Sequence, residues 1–452
     1  MKKLLIGLLV LNLAFAFSCD DANDNEFNEV NSWIRVSMEE NYLWNERVPD
    51  KVDGSIPPGA FFGSMLDPND FFSYIVDDPS FIAAEVEGGP TSGISPAFGQ
   101  FSGSSGVFIV VQFVYKGSPA DTAGIERGDI ILEIDGVSLT TSNVSPLFYS
   151  STTTASYTLG EYSSSESTIS NTGISVEVSK VQDQFNPVIH SSIIEQNGSK
   201  IGYMHYSEFI TGNNDQFIDS VDLTLQEFKM EGITDLIVDL RYNSGGELSA
   251  ARNLANGIIA NTAAQNEEIF VEFQYNDIRR QEIIDNEGVD SENLSIRFSP
   301  DPDNLGLQQV YFLTTRQTSN TSELFINGLI PHMDVNIIGR ATNGQFYGRE
   351  IIFGQDALPA NEYVLLPVSL LHQNSSGNSG LNSGLLPLIQ VEESLLNSFP
   401  IGNTDDPVLR AAIENITTGS KLLPKNMDRN YVILSDKVAL SKGSILFNPR
   451  KR

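Results

Sequence analysis

The run GVFIVVQFVYKGSPADTAGIERGDIILEIDG at Gly106–Gly136 constrains the fold more than any other stretch, because turn residues punctuate its β-rich segments at close intervals. Val107–Val114 is almost unbroken in branched and aromatic residues and predicts a strand. Gly117-Ser118-Pro119 reads as a turn, Ala120–Ala123 as a short helix ended by Gly124, and Gly128-Asp129 as the entry to a strand over Ile130–Ile134. Asp135-Gly136 is a hairpin signal. A Ser/Thr-rich stretch from Ser138 to Thr172 follows, and Ile174–Val181 alternates like a returning strand. Any small β-barrel with such turns would also satisfy this pattern.

Beyond Asn186-Pro187 the pattern changes. Ile201–Phe209 reads as a strand, and Leu236–Ile258 as strand, glycine turn and helix, with Leu248, Ala251, Leu254, Ala255 and Ile258 on one helical face. Val310–Thr314 and Val335–Ile338 are further buried-type strands near helices, which predicts an α/β core with crossover connections.

Two polar segments interrupt this core. In TSNTSELFINGL at Thr318–Leu329, Asn320 followed three residues later by Glu323 fits a capping box opening an apolar-faced helix. In GRATNGQFYG at Gly339–Gly348, Gln345 reads as a loop residue whose amide can hydrogen-bond whatever enters a nearby cleft. Gly245 and Gly246 stand at a helix start, where main-chain N–H groups can face a cleft unobstructed by side chains. A tight strand-to-helix turn would account for the two glycines equally well.

These segments together resemble the C-terminal processing, or tail-specific, serine peptidases. The nucleophile of that family lies two residues before a Ser-Glu pair, the place held here by Asn320. Its general base is the lysine of a Gly-Lys pair, the place held by Gln345, 25 residues on. A Ser–Lys dyad needs a hydroxyl to attack and an amine whose pKa is lowered from about 10.4 by burial. A glutamine cannot accept that proton, and losing one member of such a unit costs orders of magnitude in turnover. Ser319, Thr321 and Ser322 carry hydroxyls beside Asn320, but no lysine occurs between Met230 and Ser420. The resemblance implies an oxyanion hole from the main chain of Gly245, Gly246 and Thr321. It also makes Gly106–Gly136 part of a PDZ domain, a module that adds a peptide's free C-terminus to its sheet as an extra strand. Its carboxylate-binding loop would lie at Gly93-Ile94-Ser95, with Pro96 close behind. ENYLWNERVPD at Glu40–Asp50 resembles the helical N-terminal segment of secreted relatives.

The implied fold class is multidomain α/β, with a helical N-terminal segment, a PDZ-like β-rich domain and a crotonase-like (ClpP/crotonase superfamily) peptidase core. At 452 residues the chain can bury several cores. The expected division is a signal peptide over 1–18, an acidic tether over 19–30, a helical domain over 31–90, the PDZ-like domain over 91–183, the core over 184–420 and a tail over 421–452. Lys2, Lys3 and the apolar run Leu4–Phe17 have the form of a secretory signal, too short to span a membrane. Cys19, the sole cysteine, stands where a bacterial lipoprotein would be lipidated. Cleavage after Ala14-Phe15-Ala16, leaving a free thiol, is the alternative. The acidic stretch after Cys19 reads as a flexible tether and resembles surface-export signals of some Gram-negative lipoproteins.

The net charge of −31 excludes nucleic acid and anionic lipid as ready partners and favours basic or neutral peptides. His190, His205, His332 and His372 lack metal-ligand spacing, so no metal or other cofactor is expected. His205, in a core strand, is the one positioned to face a cleft. Three functions are open: an exported, lipid-anchored binder of peptide or protein C-termini without hydrolysis, a working serine peptidase in which Ser319 or Ser322 attacks with the help of His205 or of another residue that the sequence does not identify, and a structural subunit supporting an active relative.

Overall fold

A computed structural model describes residues 22–77, 90–101, 106–354, 362–380, 382–420, 431–434 and 446–447. Cys19 and the signal-like segment lie outside the described residues.

The central sheet of the core runs in the order Ile389–Gln390, Asp334–Gly339, Gln309–Thr314, Asp235–Asp239, Ser199–Tyr206, Val188–Gln196. All neighbours are parallel except the last pair. Parallel strands covered on both faces must be apolar on both, which explains the unbroken runs LIV and VYFL. Leu236, Val238, Val310 and Phe312 face a core shared with the helices Gln216–Glu231, Leu248–Ile258 and Thr321–Leu329. The alternate residues Ile237, Tyr311 and Leu313 pack against Val408, Leu409 and Ala412 of the helix Pro407–Thr418. A second sheet, ordered Ser295–Arg297, Ile269–Tyr275, Val368–Gln373, Tyr347–Glu350, Leu446–Phe447, is antiparallel apart from its last pair.

The PDZ-like domain is a seven-stranded sheet: Tyr431–Ile433, Ile94–Phe101, Val107–Val114, Ile130–Ile134, Thr154–Ser163 and Thr168–Ser179 in order, with Val137–Ser138 paired to Ile130–Ile134. The turn chemistry works as its residues dictate. Asp135 and Gly136 have φ of 54° and 73°, the positive pair a tight hairpin requires. Ser118 caps the short helix Pro119–Thr122, its hydroxyl accepting the Asp121 N–H.

Two expectations need correction. The helix Ala22–Asn41 begins inside the acidic stretch read as a flexible tether. Val30, Ile34 and Met38 recur four residues apart along it and bury against Phe61, Phe62 and Met65 as well as Leu365 and Val368 of the core, so packing drives helix through a polar segment. The stretch over 421–452 expected as a tail is likewise tied to the fold at two places, because Tyr431–Ile433 joins the PDZ-like sheet and Leu446–Phe447 pairs with Arg349–Glu350. Strand Tyr74–Val76 also pairs with Val364–Leu366, tying the N-terminal region to the core. No helix among the described residues is long and apolar enough to cross a membrane.

Candidate functional site

The turn Thr318–Ser322 enters its helix through Asn320, whose φ of 52° and ψ of −117° are strained for a residue with a Cβ. Asn320 is the N-cap and forms the capping box with Glu323. Every residue from Thr318 to Glu323 is fully buried. The turn is stitched to the segment Asn243–Gly246 by side chains that donate to main-chain carbonyls. Ser319 Oγ donates to Ser244 O at 3.0 Å, Asn320 Nδ2 to the same oxygen at 3.1 Å, Thr321 Oγ1 to Gly246 O at 2.6 Å and Ser322 Oγ to Asn243 O at 3.0 Å. The hydroxyls of Ser319 and Ser322, the alternative nucleophiles, are thus spent on carbonyl oxygens rather than on a base.

Glu323 joins this turn to the loop bearing Gln345. Its carboxylate accepts the N–H groups of Asn320 at 3.2 Å, Gly344 at 2.6 Å and Gln345 at 2.8 Å, together with the Thr342 hydroxyl. Burial pushes the carboxyl up, and the Thr342, Gly344, Gln345 and Asn320 donors pull it back, leaving it at about 7. Gly344 has φ of 99°, and a Cβ there would lie 2.2 Å from Asn382 O, so only glycine lets the Gln345 loop close on its neighbour. Gln345 itself is buried.

The glycine turn is held by Asn243. Its Oδ1 accepts the Gly245 N–H at 2.9 Å, so of the three main-chain donors expected to face a cleft, that one is already committed. Gly246 is required by close approach: a Cβ would stand 2.1 Å from Phe209 O, and its φ is 129°.

A buried ionic cluster follows strand Asp235–Asp239. The Arg241 guanidinium meets Asp239 at 2.7 Å, Asp406 at 2.8 Å and Glu393 at 3.0 Å. Burial raises the Asp239 carboxyl, but the Arg241 charge outweighs it and holds the group at about 2. Arg127 of the PDZ-like domain reaches the same Glu393 at 3.1 Å, and Gln112 Nε2 donates to Gln317 Oε1 at 2.5 Å, just before the Asn320 turn. The two domains therefore meet through specific polar contacts.

His205 is fully buried between Phe113 and Tyr242, at ring distances of 5.3 and 5.8 Å, and burial lowers its pKa to about 4. It packs at the domain junction as a neutral ring. His372 lies against Phe346 and is pushed down to about 3 by burial. His332 contacts Glu268 and the Ile269 carbonyl, and His190 packs near Tyr203. Among the described residues no group of His, Cys, Asp or Glu is arranged to hold a metal ion.

At the expected carboxylate loop, the Gly93 N–H donates to Thr91 Oγ1 at 3.0 Å, and Ile94 is buried in the domain's core. Ser95 Oγ donates to Gln112 Oε1 at 3.1 Å. The strand that begins here pairs with Val107–Val114 through a bulge at Ser95-Pro96.

Sequence reasoning recognised Glu323 as a cap but missed its reach to Gly344 and Gln345, and missed Asn243, Thr342 and the Arg241 cluster. A glutamate opening the otherwise apolar run LFINGL was the available signal, since a carboxylate in so apolar a helix needs several donors.

Comparison with known proteins agrees with the domain arrangement. A model of peptidase family S41 matches residues 200–391, a model of the S41 N-terminal domain matches 29–74, and a PDZ-domain model matches 110–153. A carboxyl-terminal-processing protease of Picosynechococcus sp. is 32% identical over 145 residues, covering 31% of this chain and 32% of that protein. A CtpA-like serine protease of Staphylococcus aureus strain N315 is 23% identical over 243 residues, covering 52% of this chain and 42% of that protein. The chain thus matches less than half the length of these curated relatives. A crystal structure of a Bacteroides fragilis NCTC 9343 protein assigned to the S41 proteases superposes with a TM-score of 0.67 and 26% identity, covering 86% of this chain and 97% of that one. With the N-terminal, PDZ and core segments present in one chain and in family order, the protein belongs to peptidase family S41.

Proposed function

We propose that this chain is an exported, lipid-anchored S41-family protein that binds peptide or protein C-termini and has lost the family's Ser–Lys hydrolysis. One observation carries the reading: Asn320 and Gln345, the positions that the resemblance assigns to nucleophile and base, bear amides and are held together by one buried carboxylate. Glu323 bonds to the main chain of both Asn320 and Gln345, so the turn and the loop remain together although neither side chain can attack or accept a proton. No lysine between Met230 and Ser420 can substitute. The Ser319 and Ser322 hydroxyls have carbonyl partners and are fully buried, which argues against a shifted nucleophile. Export and anchoring rest on the N-terminal signal pattern and Cys19, and peptide capture on the PDZ-like sheet.

The double substitution Asn320→Ser with Gln345→Lys tests the assignment of both positions. It is expected to convert a chain without measurable turnover into one that cleaves an unfolded protein substrate and labels with a fluorophosphonate. Covalent labelling of the unsubstituted chain at Ser319 or Ser322 would overturn the reading and make the protein an active serine peptidase.

A further inference from the structure

Strand Ile94–Phe101 has two edges. One pairs with Val107–Val114, and the other is taken over Gly99–Phe101 by Tyr431–Ile433, a segment from far along the chain. The register is antiparallel, with Gly99 opposite Ile433, Gln100 opposite Val432 and Phe101 opposite Tyr431. The Leu434 N–H extends the ladder to Phe98 O at 2.8 Å. Running from Phe101 towards Phe98, this segment heads for Gly93-Ile94-Ser95, the same polarity as a C-terminal peptide added to such a strand.

Its side chains also behave as a ligand's would. Leu434 packs against the apolar cluster that includes Ile94, Phe98 and Phe148, whereas Val432 and Ile433 stay exposed at 52% and 36%. Tyr431 anchors the other end. It is buried, its ring lies 6.1 Å from that of Phe108, and its hydroxyl accepts the Leu395 N–H at 3.2 Å.

We infer that Tyr431–Leu434 is an internal strand ligand occupying the peptide-adding edge of the PDZ-like sheet, which an incoming apolar C-terminus must displace. This rests on the peptide-binding reading above. A segment tethered in the same chain competes at an effective concentration on the order of millimolar. The apparent affinity of a free peptide is reduced by the fraction of time the edge is open.

The test uses the full chain with Leu434→Asp, which places a charge against the apolar cluster, and with the milder Leu434→Ala. Val432→Asp, at an exposed position of the same segment, is the control. The probe is a fluorescent peptide with an apolar C-terminal residue, as free carboxylate and as amide, and exchange of the Phe98–Phe101 amides reports whether the edge has opened. Binding of the free carboxylate at least about tenfold tighter to Leu434→Asp than to the unsubstituted chain, with Leu434→Ala between and Val432→Asp unchanged, is the expected result. Equal, measurable affinity in all four proteins, despite faster amide exchange in Leu434→Asp, overturns self-occupancy and leaves peptide binding standing. No binding to any of them, with the edge demonstrably open, overturns the peptide-binding reading and this inference with it.

Discussion

The Glu323 carboxylate accepts the Gln345 N–H at 2.8 Å, and through this contact the helix that opens at Asn320 and the loop after strand Asp334–Gly339 are held as one unit. The same carboxylate takes the Asn320 N–H, so one buried side chain spans both positions, beside the main-chain bond from the Asn343 N–H to Thr318 O.

Replacing Glu323 by alanine strands three main-chain N–H groups and the Thr342 hydroxyl without their acceptor. Each buried donor left unmade costs about 1–3 kcal/mol, so Glu323→Ala is expected to lose at least about 3 kcal/mol in urea unfolding. A loss below about 1 kcal/mol would mean that the carboxylate does not hold the turn and loop together.

The carboxyl of Glu323 also sets a pH dependence. Its folded pKa, about 7, lies above the ordinary glutamate value of 4.5, so the folded state binds the extra proton between these limits. Its contribution is fully present below pH 4.5 and is lost as pH rises through 7. Glu323→Gln should be less stable than the parent at pH 5, with the gap narrowing towards pH 8. A gap that stays constant or widens over that interval contradicts the assignment.

Asn320 combines a favourable cap with an unfavourable backbone conformation. Asn320→Ala keeps the strained φ and loses the cap, for an expected cost of about 1–2 kcal/mol. Asn320→Gly also loses the cap but relieves strain of the order of 1–3 kcal/mol, so it should be the more stable of the two. Thermal unfolding of both variants decides, and the reverse ranking would show that the turn is not strained.

Arg241 is fully buried among Asp239, Glu393 and Asp406. Arg241→Ala leaves three carboxylates facing one another and should cost about 3–5 kcal/mol. Arg127→Ala removes only one arm of the cluster, at Glu393, and should instead loosen the PDZ-like domain against the core. Limited proteolysis between the domains is expected to accelerate in Arg127→Ala with little change in the core's unfolding midpoint. Unchanged cleavage would place the domain junction elsewhere.

Much of the architecture was legible because local patterns agree with the fold. The Asp135-Gly136 hairpin, the strand Val107–Val114 and the one-faced helix Leu248–Ile258 follow from residue type and period alone. The helical character of the N-terminal region was legible but its start was not, since the polar stretch read as a tether is drawn into the helix Ala22–Asn41, whose Val30, Ile34 and Met38 pack with Phe61, Phe62 and Met65 and with Leu365 and Val368 far along the chain. His205 illustrates the same limit at the site. Its strand was foreseen, but its burial between Phe113 and Tyr242 depends on how two domains dock.

Sequence alone determined which atoms stand at the two decisive positions: Asn320 and Gln345 bring amides and no lysine lies within reach along the chain, because chemical identity is independent of folding. Tertiary structure alone decided that the main chains of these positions meet through Glu323, and that Tyr431–Leu434 lies along the sheet edge at Phe98–Phe101. Both depend on contacts to main-chain N–H and C=O groups, which nearly every residue carries alike, so the side-chain pattern does not announce where they will be met.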